Sequence, residues 1–235
     1  DEEKSNSVNF AKLLEMVAHV NPDLRVRFST SHPKDIHDEV LFVMKRNDNV
    51  AKHIHLPAQS GNSRSLKKMN RTDTREWYEM KYNRIKEILP NCSVSCDIIT
   101  GFCSETEDDH KDTLELLVNC PFEFSYMYYY SERPGTLAAR KYEDDIAEDI
   151  KKRRLSEVIN VQHDIAKKLN RAQEGKVHRV LIEMQSKKNE NEWMGRNEQN
   201  IKVIFPKDHY NLGDFVDVII ERSTTTSLIG KGITK

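Results

Sequence analysis

A carboxylate, an amide and a guanidinium stand at comparable places in three segments of this chain: Asp97, Gln59 and Arg71. Each lies at or just past the end of a strand-like run, in consecutive β-α units. Ligands bind at the carboxyl end of strands in sheets built from such units. A carboxylate and an amide placed there can hold a ribose hydroxyl pair, and a guanidinium is the geometric match for an amino-acid carboxylate. The plainer alternative is a scaffold ion pair between Asp97 and Arg71.

Other groups invite chemistry less strongly. Cys92, Cys96 and Cys103 are spaced C-x3-C-x6-C. Iron-sulfur and zinc ligands usually sit closer together on loops, so these cysteines read as small buried hydrophobes. No metal ligands are assigned. His53 and His55 share one face of a short strand, and with no acidic or thiol partner spaced to complete a site they read as hydrogen-bonded polar residues in a barrel mouth. Tyr126, Tyr128, Tyr129 and Tyr130 could stack bases, but tyrosines on a half-buried strand are more often core. The loop Gly195 to Asn200 holds Arg196 among several amides, Asn197 included, beside Lys187, Lys188, Lys202 and Trp193. It suits an RNA backbone or a solvated turn equally well.

The elements that must position these groups follow from periodicity. Val94, Cys96 and Ile98 alternate with Ser93, Ser95 and Asp97, a strand that runs into the turn at Gly101. Ser104 and Glu107 have the spacing of a capping box, and a helix follows with His110, Thr113, Leu114 and Leu117 on one face. Upstream, Phe10, Leu13, Leu14 and Val17 predict a helix. Leu24, Val26 and Phe28 predict a strand ending at Ser29-Thr30-Ser31-His32-Pro33, and Val40 to Met44 a second helix. His53 to Leu56 predicts a strand, followed by helices around Leu66–Met69 and from Asp73 to Leu89. Phe124 to Tyr130 predicts another strand, stopped by Ser131–Thr136. Four alternations of strand and helix imply a parallel sheet or barrel. Asp1 to Ser7 is polar and leads straight into a helix, as in a chain that starts within a domain.

From Glu148 to about Asn170 one long helix is expected. Beyond Gly175 the period becomes two, with strands at Val180–Met184, Ile201–Phe205, Phe215–Ile220 and Leu228–Ile229. That pattern suggests a small closed barrel of the OB-like kind. The division expected is residues 1–169 and 170–235.

With a net charge of −1 over 235 residues, no global basic field advertises nucleic acid. The part up to Asn170 carries 26 basic and 29 acidic residues and the remainder 11 and 9, so only the tail leans toward an anionic partner. No apolar run approaches the ~18 residues of a membrane span, and no secretory leader or disulfide framework is legible. A cytoplasmic, monomeric protein without a membrane partner is expected.

Six ordered blocks give the chain its resemblance: RFSTSHP (Arg27–Pro33), HLPAQSGN (His55–Asn62), MNR (Met69–Arg71), DIITGFCSETEDDH (Asp97–His110), YYYSERPGT (Tyr128–Thr136) and GRNEQNIKVIFP (Gly195–Pro206). The sequence closely resembles the radical-SAM tRNA methylthiotransferases, the MiaB family, over essentially its whole length. The resemblance implies an α/β fold, a partial (β/α) radical-SAM barrel followed by a small OB-like all-β barrel, the TRAM domain. It implies that Gln59, Arg71 and Asp97 match positions that hold S-adenosylmethionine, and that Arg133 borders the active-site mouth. Arg196, Asn197 and Lys202 then fall in an RNA-binding module.

The family reaction, as the resemblance implies it, turns an unreactive C–H of N6-isopentenyl-adenosine beside the tRNA anticodon into C–S–CH3. It uses S-adenosylmethionine, two four-iron–four-sulfur clusters and a reducing-electron donor. Sister branches act on another adenosine or on a ribosomal protein, and a non-catalytic RNA-binding adaptor is the reading from a different class. The C-x3-C-x2-C triad of the radical-SAM cluster is missing from this sequence, as are the three cysteines of the family's N-terminal domain. The chain is therefore expected to be inactive on its own.

Overall fold

The computed structural model describes residues 8–29 and 32–233, so the expectations for Asp1–Ser7 and for Thr30–Ser31 lie outside the described residues. Three parallel strands, β1 (His53–His55), β2 (Ser93–Thr100) and β3 (Phe124–Tyr129), form a sheet in the order β1-β2-β3. Their register sets Ile54 beside Val94 and Cys96 beside Ser125. The strand expected at Leu24–Phe28 is reduced to one parallel bridge, Val26 to Val50, made by Val26 N donating to Asn49 O (2.8 Å) and Ala51 N to Val26 O (2.9 Å). Its neighbours turn elsewhere: Arg25 donates to Arg179 O and Arg27 pairs with Glu183 at 2.6 Å, both in the C-terminal barrel.

Helices cover one face of the sheet: α1 (Phe10–Ala18), α2 (Asp38–Arg46), α3 (Ser63–Lys68), α4 (Arg75–Ile88) and α5 (Glu107–Asn119), with short α6 (Leu137–Lys141) and long α7 (Glu148–Arg171) later. Ile54, Val94, Cys96 and Ile98 meet Val40, Met44, Tyr78, Ile85 and Leu117 in one core. Each such aliphatic side chain contributes roughly 1.5–3 kcal/mol by leaving water. Asn62, Thr74 and Thr106 cap α3, α4 and α5 through side-chain oxygens.

The capping box of α5 is Thr106 with Asp109, two residues later than the S-x-x-E spacing suggests. Ser104 instead takes a left-handed backbone (φ 61°), and both its N–H and its hydroxyl donate to Asp145. Gly101 also takes a positive φ (67°), and the stem of Lys151 lies where a Cβ would go, so only glycine fits. The Glu105 carboxylate accepts from Gly101 N (2.8 Å) and pairs with buried Arg154 of α7 (3.0 Å). The turn after β2 is thereby fixed to the long helix.

The second sheet closes on itself in the order β4-β5-β6-β8-β7, from β4 (Val177–Gln185), β5 (Glu192–Arg196), β6 (Lys202–Pro206), β7 (Phe215–Ser223) and β8 (Leu228–Gly232). The strand β5 is not among those expected from periodicity, because Glu-Trp-Met-Gly-Arg lacks a clean apolar alternation. Gly195 is required there, since a Cβ would run into the carbonyl of Leu181 on the paired strand. Val180, Val203, Phe205, Val218 and Leu228 fill the interior.

The two sheets meet through backbone-rich contacts. The β5–β6 loop presses on the amino end of the parallel sheet: Lys52 N donates to Glu198 O (2.7 Å), Ser93 Oγ to Gln199 O (2.6 Å) and Gln199 Nε2 to Asn91 O (2.6 Å). Asn170 at the end of α7 donates to the carbonyls of Thr224 and Thr225.

Candidate functional site

The side of the parallel sheet away from its helices carries the candidate site. Parallel register puts His53 beside Ser93, His55 beside Ser95, Asp97 beside Tyr126 and Ile99 beside Tyr128. Because strand side chains alternate, all of these share the concave face. A polar ladder climbs it. His53 Nδ1 is 2.8 Å from Ser93 Oγ, Ser95 Oγ lies 3.3 Å from His53 Nε2 and 3.0 Å from His55 Nδ1, and His55 Nε2 reaches Asp97 Oδ2 at 3.4 Å. Gln59 Nε2 donates to the same Asp97 oxygen at 3.5 Å.

Gln59 sits past β1 in a left-handed conformation (φ 69°), which costs on the order of 1–3 kcal/mol for a non-glycine residue. Two backbone bonds hold it there, Gln59 N to Asp97 O (2.7 Å) and Ile99 N to Gln59 O (2.8 Å). Gln59 and Asp97 border a cavity of about 740 Å³, which Tyr128, Tyr129, Tyr130 and Arg133 also line. The lining therefore combines an acceptor carboxylate and an amide with aromatic rings and one cation.

Arg71 lies in an adjoining cleft of about 320 Å³ that shares Gln59, Ile99, Tyr130 and Ala138 with the larger one. Its guanidinium donates to Pro57 O (3.4 Å) and pairs with Asp73 (3.5 Å), so the alternative of an Asp97–Arg71 ion pair is not what forms. Gln59 touches Asp97 directly, while Arg71 is a neighbour held apart by its own carboxylate. Arg133 is exposed at the cavity rim and, among the described residues, its guanidinium has no partner.

The tyrosine strand corrects the expectation of a core. Tyr126 and Tyr128 are 52% and 55% exposed, because they border open cavities rather than the helix-covered core. His55 and Tyr126 meet edge to face at 6.1 Å, and His53 stacks on Phe124 at 5.6 Å. Burial, with help from the nearby charges of His55, Arg196 and Arg27, drives the His53 pKa down to about 4 and keeps that imidazole neutral. The ladder was the feature missed from sequence. Its signal was the period-two match between His53/His55 and Ser93/Ser95/Asp97, which only the register of β1 on β2 turns into contact.

The cysteines are buried and free. Burial pushes the Cys92 and Cys120 thiols up to about 12 and raises those of Cys96 and Cys103, so none is a ready thiolate. Cys96 Sγ lies 3.1 Å from Ser125 Oγ within the core. Among the described residues no three metal-ligating side chains come together.

In the C-terminal barrel, Asn197 is wholly buried: its carboxamide oxygen accepts from Gln199 N (3.1 Å) and Ile201 N (2.8 Å), which shapes the β5–β6 loop. Its side chain is not presented to any ligand. Arg196 donates to Asn200 O (2.8 Å) and pairs with Glu183 (3.3 Å). Lys202 is half-buried and, among the described residues, its ammonium is unpaired.

A partly built sheet of parallel β-α units, followed by a closed five-stranded barrel, is what the comparisons with known proteins find as well. Residues 3–117 match the radical SAM superfamily and residues 171–233 the TRAM domain. The whole chain is similar to the tRNA-2-methylthio-N(6)-dimethylallyladenosine synthases of Amoebophilus asiaticus (55% identical over 229 residues, 97% of this chain and 47% of that one) and Flavobacterium psychrophilum (49% over 231 residues, 98% and 48%). The chain thus spans about half the length of the curated relatives it matches. In fold it is similar to a radical SAM enzyme from Escherichia coli, coproporphyrinogen III oxidase HemN, with a TM-score of 0.54 at 16% identity, covering 95% of this chain and 56% of that one. No helix among the described residues is long and apolar enough to cross a membrane.

Proposed function

We propose that this chain supplies the S-adenosylmethionine-binding wall and the RNA-facing surface of a tRNA methylthiotransferase. The substrate is N6-isopentenyl-adenosine beside the anticodon, which is converted to its 2-methylthio derivative. The observation that carries the reading is the Gln59–Asp97 pair in the 740 Å³ cavity, which Tyr128 and Arg133 also line. The division into residues 1–169 and 170–235 belongs to the same reading.

S-adenosylmethionine fits this lining. An acceptor carboxylate kept in place by His55 and Gln59 suits a ribose diol, and the adjoining Arg71 cleft suits a carboxylate if Arg71 exchanges Asp73 for it. When bound, S-adenosylmethionine supplies the radical-generating and methyl-donating chemistry. Asp97 orients its sugar, Tyr128 offers a flat face to the substrate base, and Arg133 meets substrate charge at the rim.

Iron-sulfur clusters do not fit the cysteines present, which are scattered, buried and held as thiols. The complete reaction then depends on cluster ligands and a reducing-electron donor beyond these residues. The chain by itself is expected to be inactive, and to work in the cytoplasm as a monomer on tRNA when complete.

Calorimetric titration with S-adenosylmethionine tests this. Weak binding is expected, with a Kd around 1 mM, or roughly −4 kcal/mol, abolished in Asp97→Ala. A Kd of ~1 μM, or weak binding indifferent to Asp97→Ala, overturns the reading.

A further inference from the structure

A second cleft, of about 360 Å³, opens where β3, α7 and the C-terminal barrel meet. Its walls are Phe124 and Tyr126 from β3, His163 from α7, and Asn200, Lys202 and Thr226 from the barrel. Most of its other polar groups are already committed. Gln162 bonds Ser125 Oγ and Phe122 O, Asn170 bonds Thr224 O and Thr225 O, and Arg196 bonds Asn200 O and Glu183. The Glu123 carboxylate at the edge accepts from Val94 N (2.6 Å) and faces Lys86 (3.6 Å). Beside the His163 imidazole and the Thr226 hydroxyl, what remains available is a half-exposed tyrosine ring and, among the described residues, an unpaired ammonium, that of Lys202.

An aromatic face with a single cation is the pair of groups that takes one nucleotide of an unpaired strand, by stacking the base and neutralising its phosphate. The cleft also neighbours the site. Met127 borders both it and the 740 Å³ cavity, and Tyr126 and Tyr128 are successive residues on the same strand face. Two strand residues advance roughly 7 Å. Adjacent nucleotides of one chain can span that step.

We infer that this cleft holds the nucleotide flanking the reacting adenosine, its base stacked on Tyr126 and its phosphate met by Lys202. The inference rests on the RNA-binding half of the proposed function. It assigns Lys202 a ligand role, and it transfers from the buried Asn197 to Tyr126 the task of reading RNA at the junction of the two sheets.

Fluorescence anisotropy of the 235-residue chain with a labelled anticodon stem-loop RNA, across a salt series, tests it. Tyr126→Ala is expected to weaken binding about tenfold and Tyr126→Phe to leave it within about twofold of the native chain. Lys202→Ala is expected to weaken binding several-fold and to flatten the salt dependence by a slope of roughly 0.7, the signature of one lost phosphate contact. Thermal melting reports on folding, and if Tyr126→Ala fails to fold, the salt slope of Lys202→Ala decides. A native chain that binds RNA while Tyr126→Ala and Lys202→Ala bind equally well overturns this inference and leaves the proposed function standing. A native chain that does not bind the RNA overturns both.

Discussion

The parallel sheet leaves the Tyr126–Tyr128 end of its helix-free face more than half exposed, whereas the closed barrel fills its interior with Val180, Val203, Phe205, Val218 and Leu228, each at most 1% exposed. Both sheets obey the same two-residue alternation. They differ in closure. A sheet of β-α units buries one face under its helices and leaves the other for polar and aromatic groups, here His53, His55, Asp97 and the tyrosines. A five-stranded barrel has room inside only for side chains, so whatever it binds must be met from outside, by its loops and its junction with the other sheet.

Substitutions separate these two ways of using a sheet. The largest effect is expected inside the barrel: Phe205→Ala should destabilise it by about 3–5 kcal/mol, by lost transfer energy plus a cavity. Denaturant unfolding read at Trp193, which packs against that core, measures it, while Trp77 in α4 reports the other unit. Equal losses at both tryptophans would show that the two sheets unfold as one.

Next comes pH. The folded-state pKa of His53 is depressed to about 4, below its ordinary 6.5, so the unfolded chain binds the extra proton first. Its contribution is complete above about pH 6.5 and is lost as pH falls toward 4, a span worth on the order of 3 kcal/mol. His53→Gln should flatten that part of the stability profile. A profile unchanged by the substitution would mean that His53 is solvated.

Asn197→Ala is expected to cost about 1–3 kcal/mol, because the N–H groups of Gln199 and Ile201 lose their acceptor in a buried loop. A drop in RNA affinity without loss of stability would return Asn197 to the binding surface. The smallest effect belongs to the open face. Tyr128→Ala should change stability by less than about 0.5 kcal/mol, since the ring is already in solvent. A larger loss would mean that the concave face is covered in solution.

The sequence already carried the alternation of strands and helices, the long helix before Asn170 and the change of period after Gly175, because each is a local pattern of apolar spacing. The same local reading went astray where partners outweigh pattern. The run Leu24–Phe28 has strand periodicity, yet only Val26 pairs, since Arg25 and Arg27 are drawn to the barrel. The Ser104 and Glu107 spacing suits a cap, yet Asp145, forty-one positions away, takes the Ser104 N–H. The strand β5 has little apolar rhythm and exists because its neighbours β4 and β6 offer it two ladders.

Residue chemistry at Gln59, Asp97 and Arg71 was likewise legible from the sequence, as types suited to a sugar and a carboxylate near strand ends. Their mutual distances were not. Asp97 meets Gln59 and His55 rather than Arg71 because parallel register sets which side chains share a rung, and Asp73 holds Arg71 aside. Exposure of the tyrosine strand was decided in the same way. Alternation can say that Tyr126 and Tyr128 face together, but whether that face is core or surface depends on what else packs there, and that is settled only by the tertiary structure.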